Sequence, residues 1–156
     1  MTDTIIDTLY GQAPVQSEGT VAGIPFYFRA RGARWTMNIG ADPLGSAAWG
    51  FEESFGTGFE AGFMDEDEAR ANITKAAAAF LDSDAFKSLT PFDLYNATEK
   101  AWEAGLATTF GKDARNARYK PEGQGGPGTR LRQLFDTRLA AMQFWEDARS
   151  LAHKQP

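Results

Sequence analysis

Residues 24–40, IPFYFRARGARWTMNIG, alternate apolar and polar side chains on both sides of the dipeptide Gly32-Ala33. This alternation is typical of a β-hairpin with one buried face, and a glycine at the first central position favours a two-residue turn. The turn sets a register in which Arg31 lies opposite Arg34. One face of the hairpin is therefore predicted to be buried. It carries Phe26, Phe28, Ala30, Trp35, Met37 and Ile39.

The opposite face of the hairpin is polar and carries three arginines, Arg29, Arg31 and Arg34. Like charges on directly opposed residues destabilise a sheet unless an anion lies between them. Two interpretations follow from this. Either a neighbouring strand supplies a carboxylate, from Glu52 or Glu53, or the arginines bind a phosphate or a partner's carboxylate. The acids close by in the sequence favour the internal pairing.

Two further segments extend the hairpin into a larger predicted unit. Residues 47–55, AAWGFEESF, alternate again and predict a third antiparallel strand. Asp65 and Glu68 have the spacing of a capping box, and apolar residues at helical spacing follow them up to Leu81. Residues 20–85 are therefore predicted to form a three-stranded antiparallel meander packed on one helix.

The second half of the chain, residues 88–152, is predicted to be helical. Thr90 followed by Pro91 is a typical helix start, and Gly105 is predicted to end that helix. Thr129 has the side chain of a helix cap and precedes a long final helix. Strands followed by helices, without alternation between the two, indicate the α+β fold class.

The composition is that of a globular protein, with 42% hydrophobic and 24% charged residues. This length suits one domain, so residues 1–156 are predicted to form a single domain, with residues 1–15 as a mobile N-terminal segment. The N-terminus carries Asp3 and Asp7 where a secretion signal has positive charge. The longest apolar run, Ala76–Leu81, is too short to cross a membrane. A cytoplasmic location without membrane contact is expected.

The residue types that carry most enzyme chemistry are scarce in this chain. It has no cysteine, which excludes disulfides, thiol catalysis and cysteine-ligated zinc, and its one histidine, His153, excludes a histidine metal cluster. Glu53 falls on the apolar side of the third strand and is the best candidate for a catalytic carboxyl. A bulge or the end of the strand also explains it. A non-enzymatic binding protein with no cofactor and no metal is therefore expected.

Acidic residues are concentrated in the first half of the chain. Residues 1–68 carry 11 acidic and three basic side chains. This imbalance predicts a protein-interaction module that binds a protein partner with a basic surface. Because carboxylates mimic the charge of phosphates, an inhibitor or regulator of nucleic-acid-handling machinery is the favoured class. The predicted partner-binding residues are Glu52, Glu60, Asp65, Glu66, Asp67 and Glu68.

A basic run further along the chain supports an alternative, nucleotide or nucleic-acid binding. Residues 111–132 carry six basic and two acidic side chains around the loop 123–130, GQGGPGTR. The glycine spacing is that of a phosphate-binding loop, but no strand is predicted before it, and the loop lacks the Gly-Lys-Ser/Thr of the nucleoside-triphosphate motif. A connector is favoured, and anion binding stays open. The candidate anion-binding residues here are Arg115, Arg118, Lys120, Gly125, Gly128, Arg130 and Arg132.

Two large apolar side chains, Phe144 and Leu151, project from the final helix away from its predicted core stripe. Apolar residues on a second helix face indicate either a helix packed on both sides within the fold or a docking surface. The first interpretation is favoured. The second predicts a partner interface or a homo-oligomer formed through the final helix.

Overall fold

The computed structural model describes residues 3–155, and the chain divides between Ser88 and Leu89 into two compact units. The first, called the sheet unit, contains every strand of the described residues, and the second, called the helical unit, contains helices joined by turns. The predicted α+β fold class is confirmed.

The sheet unit is built on a five-stranded antiparallel sheet whose spatial order follows the order of the chain. Each strand pairs with the next one along the sequence, so the sheet is a simple meander. The strands are β1 (Thr4–Tyr10), β2 (Val15–Val21), β3 (Ile24–Arg31), β4 (Arg34–Ile39) and β5 (Trp49–Ser54).

The β3–β4 hairpin has the register that its turn predicts. Arg31 pairs with Arg34 and Phe26 pairs with Ile39, while Gly32 in the turn has a φ of +66°. All six predicted inward residues are buried, and Phe28 and Trp35 have no exposed surface at all. The alternation in residues 24–40 therefore determined which face of the sheet became the core.

The predicted number of strands is wrong, because β1 and β2 precede the three strands that the sequence pattern indicated. The inward positions of β2 include Ser17 and Gly19. Because neither residue has a large apolar side chain, the sequence of β2 does not show the alternation of apolar and polar residues that indicates a strand. The Ser17 hydroxyl donates to the carbonyl of Thr8 at 2.6 Å. A Cβ on Gly19 would lie 1.9 Å from the carbonyl oxygen of Ile5, so only glycine fits against β1 there.

Helix α1 (Glu66–Asp82) begins at the predicted capping box, in which Asp65 and Glu68 exchange side-chain to backbone hydrogen bonds. Ile73 has no exposed surface, and the ring of Phe80 lies 5.3 Å from that of Trp49 on β5, so α1 covers the apolar face of the sheet as predicted. A 3-10 turn, Glu60–Phe63, precedes α1, and the short α2 (Asp84–Lys87) follows it.

The helical unit contains α3 (Pro91–Phe110), the short α4 (Ala114–Ala117) and α5 (Arg130–Ala152), with 3-10 turns at Gly111–Asp113 and Pro121–Gln124. Thr90 and Thr129 cap α3 and α5 as predicted. Helices α3 and α5 pack around a core of Ala101, Trp102, Leu106, Leu131 and Leu134.

Gly105 does not end α3, which continues to Phe110. A Cβ on Gly105 would lie 2.6 Å from Cδ1 of Leu134 on α5. The glycine therefore allows two helices to approach closely. Residues 106–110 consequently belong to α3, and in the stretch from there to residue 119 the four residues of α4 form a separate α-helix.

The loop at residues 123–130 is packed into the helical unit. Gly123 is buried, and its carbonyl accepts a hydrogen bond from the indole nitrogen Nε1 of Trp102 at 2.9 Å. Gly125 and Gly128 have positive φ angles, +78° and +76°, which glycine adopts readily. The tight turns of this connector therefore require its glycines.

Within residues 3–155 no helix combines the length and the apolar character needed to cross a membrane. In the same part of the chain no group of three or more acidic, histidine or cysteine side chains is placed to hold a metal ion.

We expect Gly123→Ala to destabilise the helical unit, because its Cβ would lie 2.1 Å from the carbonyl oxygen of Ala117. Overpacking of this kind costs about 1–3 kcal/mol of unfolding free energy. Urea denaturation followed by far-ultraviolet circular dichroism measures the change. Gly126→Ala is the matched control, since the nearest atom to its added Cβ lies 3.9 Å away. Equal losses in the two variants would contradict the packing role of Gly123.

Candidate functional site

An open groove of about 560 Å³ lies between the end of β5 and the start of α1. We call it the aromatic groove. Three phenylalanines and two glutamates line it: Phe55, Phe59, Glu60, Phe63 and Glu68. The two glutamates are among the partner-binding residues that the sequence predicts, whereas the three phenylalanines are not.

The phenylalanines of the 3-10 turn face solvent because the residues between them are anchored. Ala61 and Gly62 are buried, and the N–H of Ala61 donates to the carbonyl of Gly32 in the β3–β4 turn at 3.0 Å. Phe59 is 79% exposed and Phe63 is 62% exposed. Exposed apolar side chains that lie together in one groove are typical of an interaction surface.

The two glutamates of the groove are held in place by backbone N–H groups. Glu60 accepts a hydrogen bond from the N–H of Gly58 at 2.7 Å, and Glu68 accepts one from the N–H of Asp65 at 3.0 Å. The N–H groups of Glu60 itself and of Gly58 hold the pKa of the Glu60 carboxyl below its ordinary value. Glu60 therefore keeps its negative charge beside the exposed rings at neutral pH.

The structure places the remaining predicted acids in different surroundings. Asp65 and Glu66 lie at the start of α1, where Asp65 caps the helix and Glu66 pairs with Arg70 at 2.8 Å. Asp67 is exposed there, with no ion pair in the described part of the chain. Glu52 lies on β5 and pairs with Arg34, so its carboxylate is partly neutralised. Of the predicted acids, Glu60 and Glu68 line the groove, and Asp65 and Asp67 carry further charge at the start of α1 without an ion pair in the described part of the chain.

Among the described residues, one of the three hairpin arginines pairs with the internal carboxylate that the sequence favoured. Arg34 pairs with Glu52 at 3.3 Å. Arg29 and Arg31 are exposed, and neither has a hydrogen bond, an ion pair or a ring contact within residues 3–155. Glu53, the candidate catalytic carboxyl, forms an ion pair with Lys75 of α1, at the end of a strand that runs without a bulge.

Arg118, from the basic run, lies in a half-buried ion network. It pairs with Glu99 and Glu103 of α3, and Glu99 also pairs with Arg138 of α5. The guanidinium carbons of Arg118 and Arg138 lie 4.9 and 4.7 Å from the ring centre of Trp102. Each cation therefore has both a carboxylate and an aromatic ring as partners.

Sequence reasoning missed Glu99 and Arg138, although a signal was present. Glu99 occupies the buried stripe of α3 between Thr98 and Trp102, where a charged side chain needs a partner. Desolvation by itself raises the pKa of Glu99, but the hydrogen bonds from Arg138 and Arg118 outweigh it and hold the pKa below its ordinary value. The network is therefore a structural element of the helical unit.

The glycine loop uses its backbone donors internally. The N–H groups of Gly123, Gly125 and Thr129 donate to the carbonyls of Lys120, Glu122 and Gly126, at 3.0, 3.1 and 3.2 Å. An anion cradle requires such groups to point at a ligand, so this geometry favours the connector.

Several basic side chains around the loop also have partners. Arg132 pairs with Asp136 at 3.1 Å, and Arg130 donates to the side-chain oxygen of Gln133 at 3.2 Å. Arg115 and Lys120 are exposed. The basic run therefore offers less unpaired charge than its composition indicates.

Phe144 and Leu151 of the final helix remain exposed, at 56% and 65%. The favoured interpretation, in which the helix packs on both sides within the fold, does not hold for these two side chains. They stay a predicted interface on α5.

We expect Glu99→Gln to destabilise the helical unit by about 1–3 kcal/mol, because Arg138 loses its carboxylate partner and Arg118 keeps the more exposed Glu103. The folded-state pKa of Glu99 lies below the ordinary value of 4.5, so its stabilisation is present above that pH and is lost as the pH falls below it. Thermal melts between neutral and acid pH measure both effects.

The fall in melting temperature below pH 4.5 should be smaller in Glu99→Gln than in the unsubstituted protein. The matched control is Glu146→Gln, which removes an exposed carboxylate from α5. Identical pH profiles for Glu99→Gln and the unsubstituted protein would show that Glu99 contributes nothing to acid stability.

No protein-family model, curated protein or solved structure matches this chain. The function proposed below therefore rests on the geometry of the described residues.

Proposed function

We propose that the protein is a non-enzymatic protein-interaction module, which binds a partner segment that carries both basic and apolar side chains in the aromatic groove. The observation that carries the proposal is the pairing of two exposed phenylalanine rings, Phe59 and Phe63, with the carboxylates of Glu60 and Glu68 in one groove. An apolar partner alone would leave the carboxylates unpaired, and a purely basic partner would leave the rings in water.

The rings supply most of the expected affinity. Burying a phenylalanine side chain contributes about 1.5–3 kcal/mol. A lysine or arginine placed over such a ring adds about 0.5–1 kcal/mol at an exposed site and more when water is excluded. Two rings in one groove therefore suit a partner segment that alternates apolar and basic side chains.

The carboxylates supply orientation and rate more than affinity. Exposed ion pairs contribute little to stability, but complementary charge speeds association and rejects acidic partners. Asp67, at the start of α1, extends the negative charge beyond the groove. A basic partner surface is therefore favoured over an acidic one.

The chemistry of the groove suits binding better than proton transfer. Catalytic acids have a pKa close to the working pH, usually because burial raises it. The pKa of Glu60 is instead lowered by backbone hydrogen bonds. A carboxylate of this kind is a permanent charge at neutral pH, which favours a role in recognition.

We expect Phe59→Ala combined with Phe63→Ala to weaken binding of a fluorescein-labelled peptide of alternating lysine and leucine by about tenfold or more, from the loss of apolar burial. Fluorescence anisotropy measures the affinity. Leu44→Ala is the control, because Leu44 is 74% exposed and does not line the groove. Amide chemical shifts of isotope-labelled protein locate the bound peptide, and shifts confined to residues outside 55–68 would overturn the proposal.

We expect Glu60→Gln combined with Glu68→Gln to slow association of the same peptide and to reduce its salt dependence, because the amides keep the hydrogen-bond acceptors and lose the charge. Stopped-flow fluorescence measures the association rate. Glu122→Gln combined with Glu146→Gln removes the same charge from the helical unit and serves as the control. Equal slowing in the two double variants would assign the effect to net charge and exclude a specific acidic groove.

A further inference from the structure

One row of directly paired residues crosses all five strands of the sheet: Tyr10, Gln16, Arg29, Thr36 and Glu52. Directly paired residues in an antiparallel sheet point to the same side. These five side chains therefore lie on the sheet face that is opposite the buried Phe28 and Trp35, and Tyr27, Arg31 and Arg34 share that face.

This polar face is open and unevenly charged. We call it the arginine face. Arg29, Arg31 and Arg34 are all exposed, yet in the part of the chain that the structure describes only Arg34 has a carboxylate partner, Glu52. Glu18 lies diagonally across from Arg29 in the register, but the two form no ion pair. Two guanidinium groups therefore stay without a partner among residues 3–155.

The spacing of these arginines suits a polymer that carries a negative charge on each repeating unit. Arg29 and Arg31 point the same way from one strand and lie about 6.7 Å apart along it, since the rise is about 3.3–3.4 Å per residue. Arg31 directly opposes Arg34, a pairing of like charges that destabilises a sheet unless an anion lies between them. Guanidinium groups bind phosphate oxygens with two parallel hydrogen bonds.

Two tyrosines accompany the arginines on the same face. Tyr10 is 50% exposed and lies in the same row as Arg29. Tyr27 is half-buried, and its hydroxyl donates to Oε1 of Gln16 at 2.6 Å, which holds the ring in place. Proteins that bind single-stranded nucleic acids combine cations with aromatic rings, because the phosphates pair with the cations and the bases stack on the rings.

The geometry points to a single-stranded nucleic-acid site on the arginine face, in which Arg29 and Arg31 bind successive phosphates and Tyr10 stacks on a base. An acidic peptide would pair with the arginines and gain nothing specific from the tyrosines, so the nucleic acid is the better fit. An open antiparallel sheet also leaves room for an extended strand. The site is distinct from the basic run at residues 111–132 and does not depend on the aromatic groove.

The test is fluorescence anisotropy of a labelled single-stranded oligothymidylate with the full chain. Two to three phosphate contacts predict about a tenfold loss of affinity between about 50 and about 200 mM salt. We expect Arg29→Gln combined with Arg31→Gln to weaken binding at the lower salt about tenfold and to flatten the salt dependence. Lys112→Gln combined with Arg115→Gln removes the same charge from the basic run and should leave the affinity within about twofold.

Two further variants separate this site from its neighbours. Tyr10→Leu keeps an apolar side chain but removes the aromatic ring, and we expect about a fivefold loss from weaker stacking. Phe59→Ala combined with Phe63→Ala empties the aromatic groove of its rings and should not change oligonucleotide affinity. Retained oligonucleotide binding in that variant, with loss of the lysine–leucine peptide, would show that the two sites act separately.

Three results would overturn the inference. The first is no oligonucleotide binding at the lower salt. The second is an equal loss in the arginine-face variant and the basic-run variant, which would indicate general attraction by net charge. The third is binding of a polyglutamate peptide of equal length with the same affinity, which would assign the face to acidic protein segments.

Discussion

The register of the β3–β4 hairpin is the constraint on which the rest of the sheet unit depends. It turns the large apolar residues inward under α1 and the arginines outward. The carbonyls of the same turn, at Gly32 and Ala33, accept hydrogen bonds from Ala61 and Phe55, so the turn also positions the aromatic groove. A slip of one residue would exchange the two faces of the hairpin and remove both proposed binding surfaces.

The helical unit depends instead on a half-buried network of charges. Arg118 and Arg138 share the carboxylate of Glu99 and lie against the ring of Trp102, whose indole in turn holds the carbonyl of Gly123. An arginine with such partners is a packing element. Arg29, by contrast, is exposed and has no carboxylate partner in the described chain. The role of a cation therefore follows from its burial and its partners, which the residue type alone does not determine.

The features that sequence reasoning predicted are those decided by neighbouring residues, and the ones it missed depend on distant contacts. The turn at Gly32 and the capping box at Asp65 were both readable from a few adjacent positions. The role of Gly105 was not readable in this way. A glycine at which a helix ends and a glycine that lets a second helix pack closely look alike in sequence. Strand β2 was hidden because close packing against β1 requires Ser17 and Gly19 at its inward positions.

The sequence by itself determined the hairpin register, the helix starts and the uneven distribution of charge, because each follows from residues close together in the chain. The tertiary structure alone decided which charges are neutralised and which rings remain in solvent. Glu99 pairs with arginines 19 and 39 residues away in the sequence. Phe59 is exposed because the segment that carries it is anchored to the β3–β4 turn. Burial and charge pairing arise from contacts between distant segments, and these form only when the chain has folded.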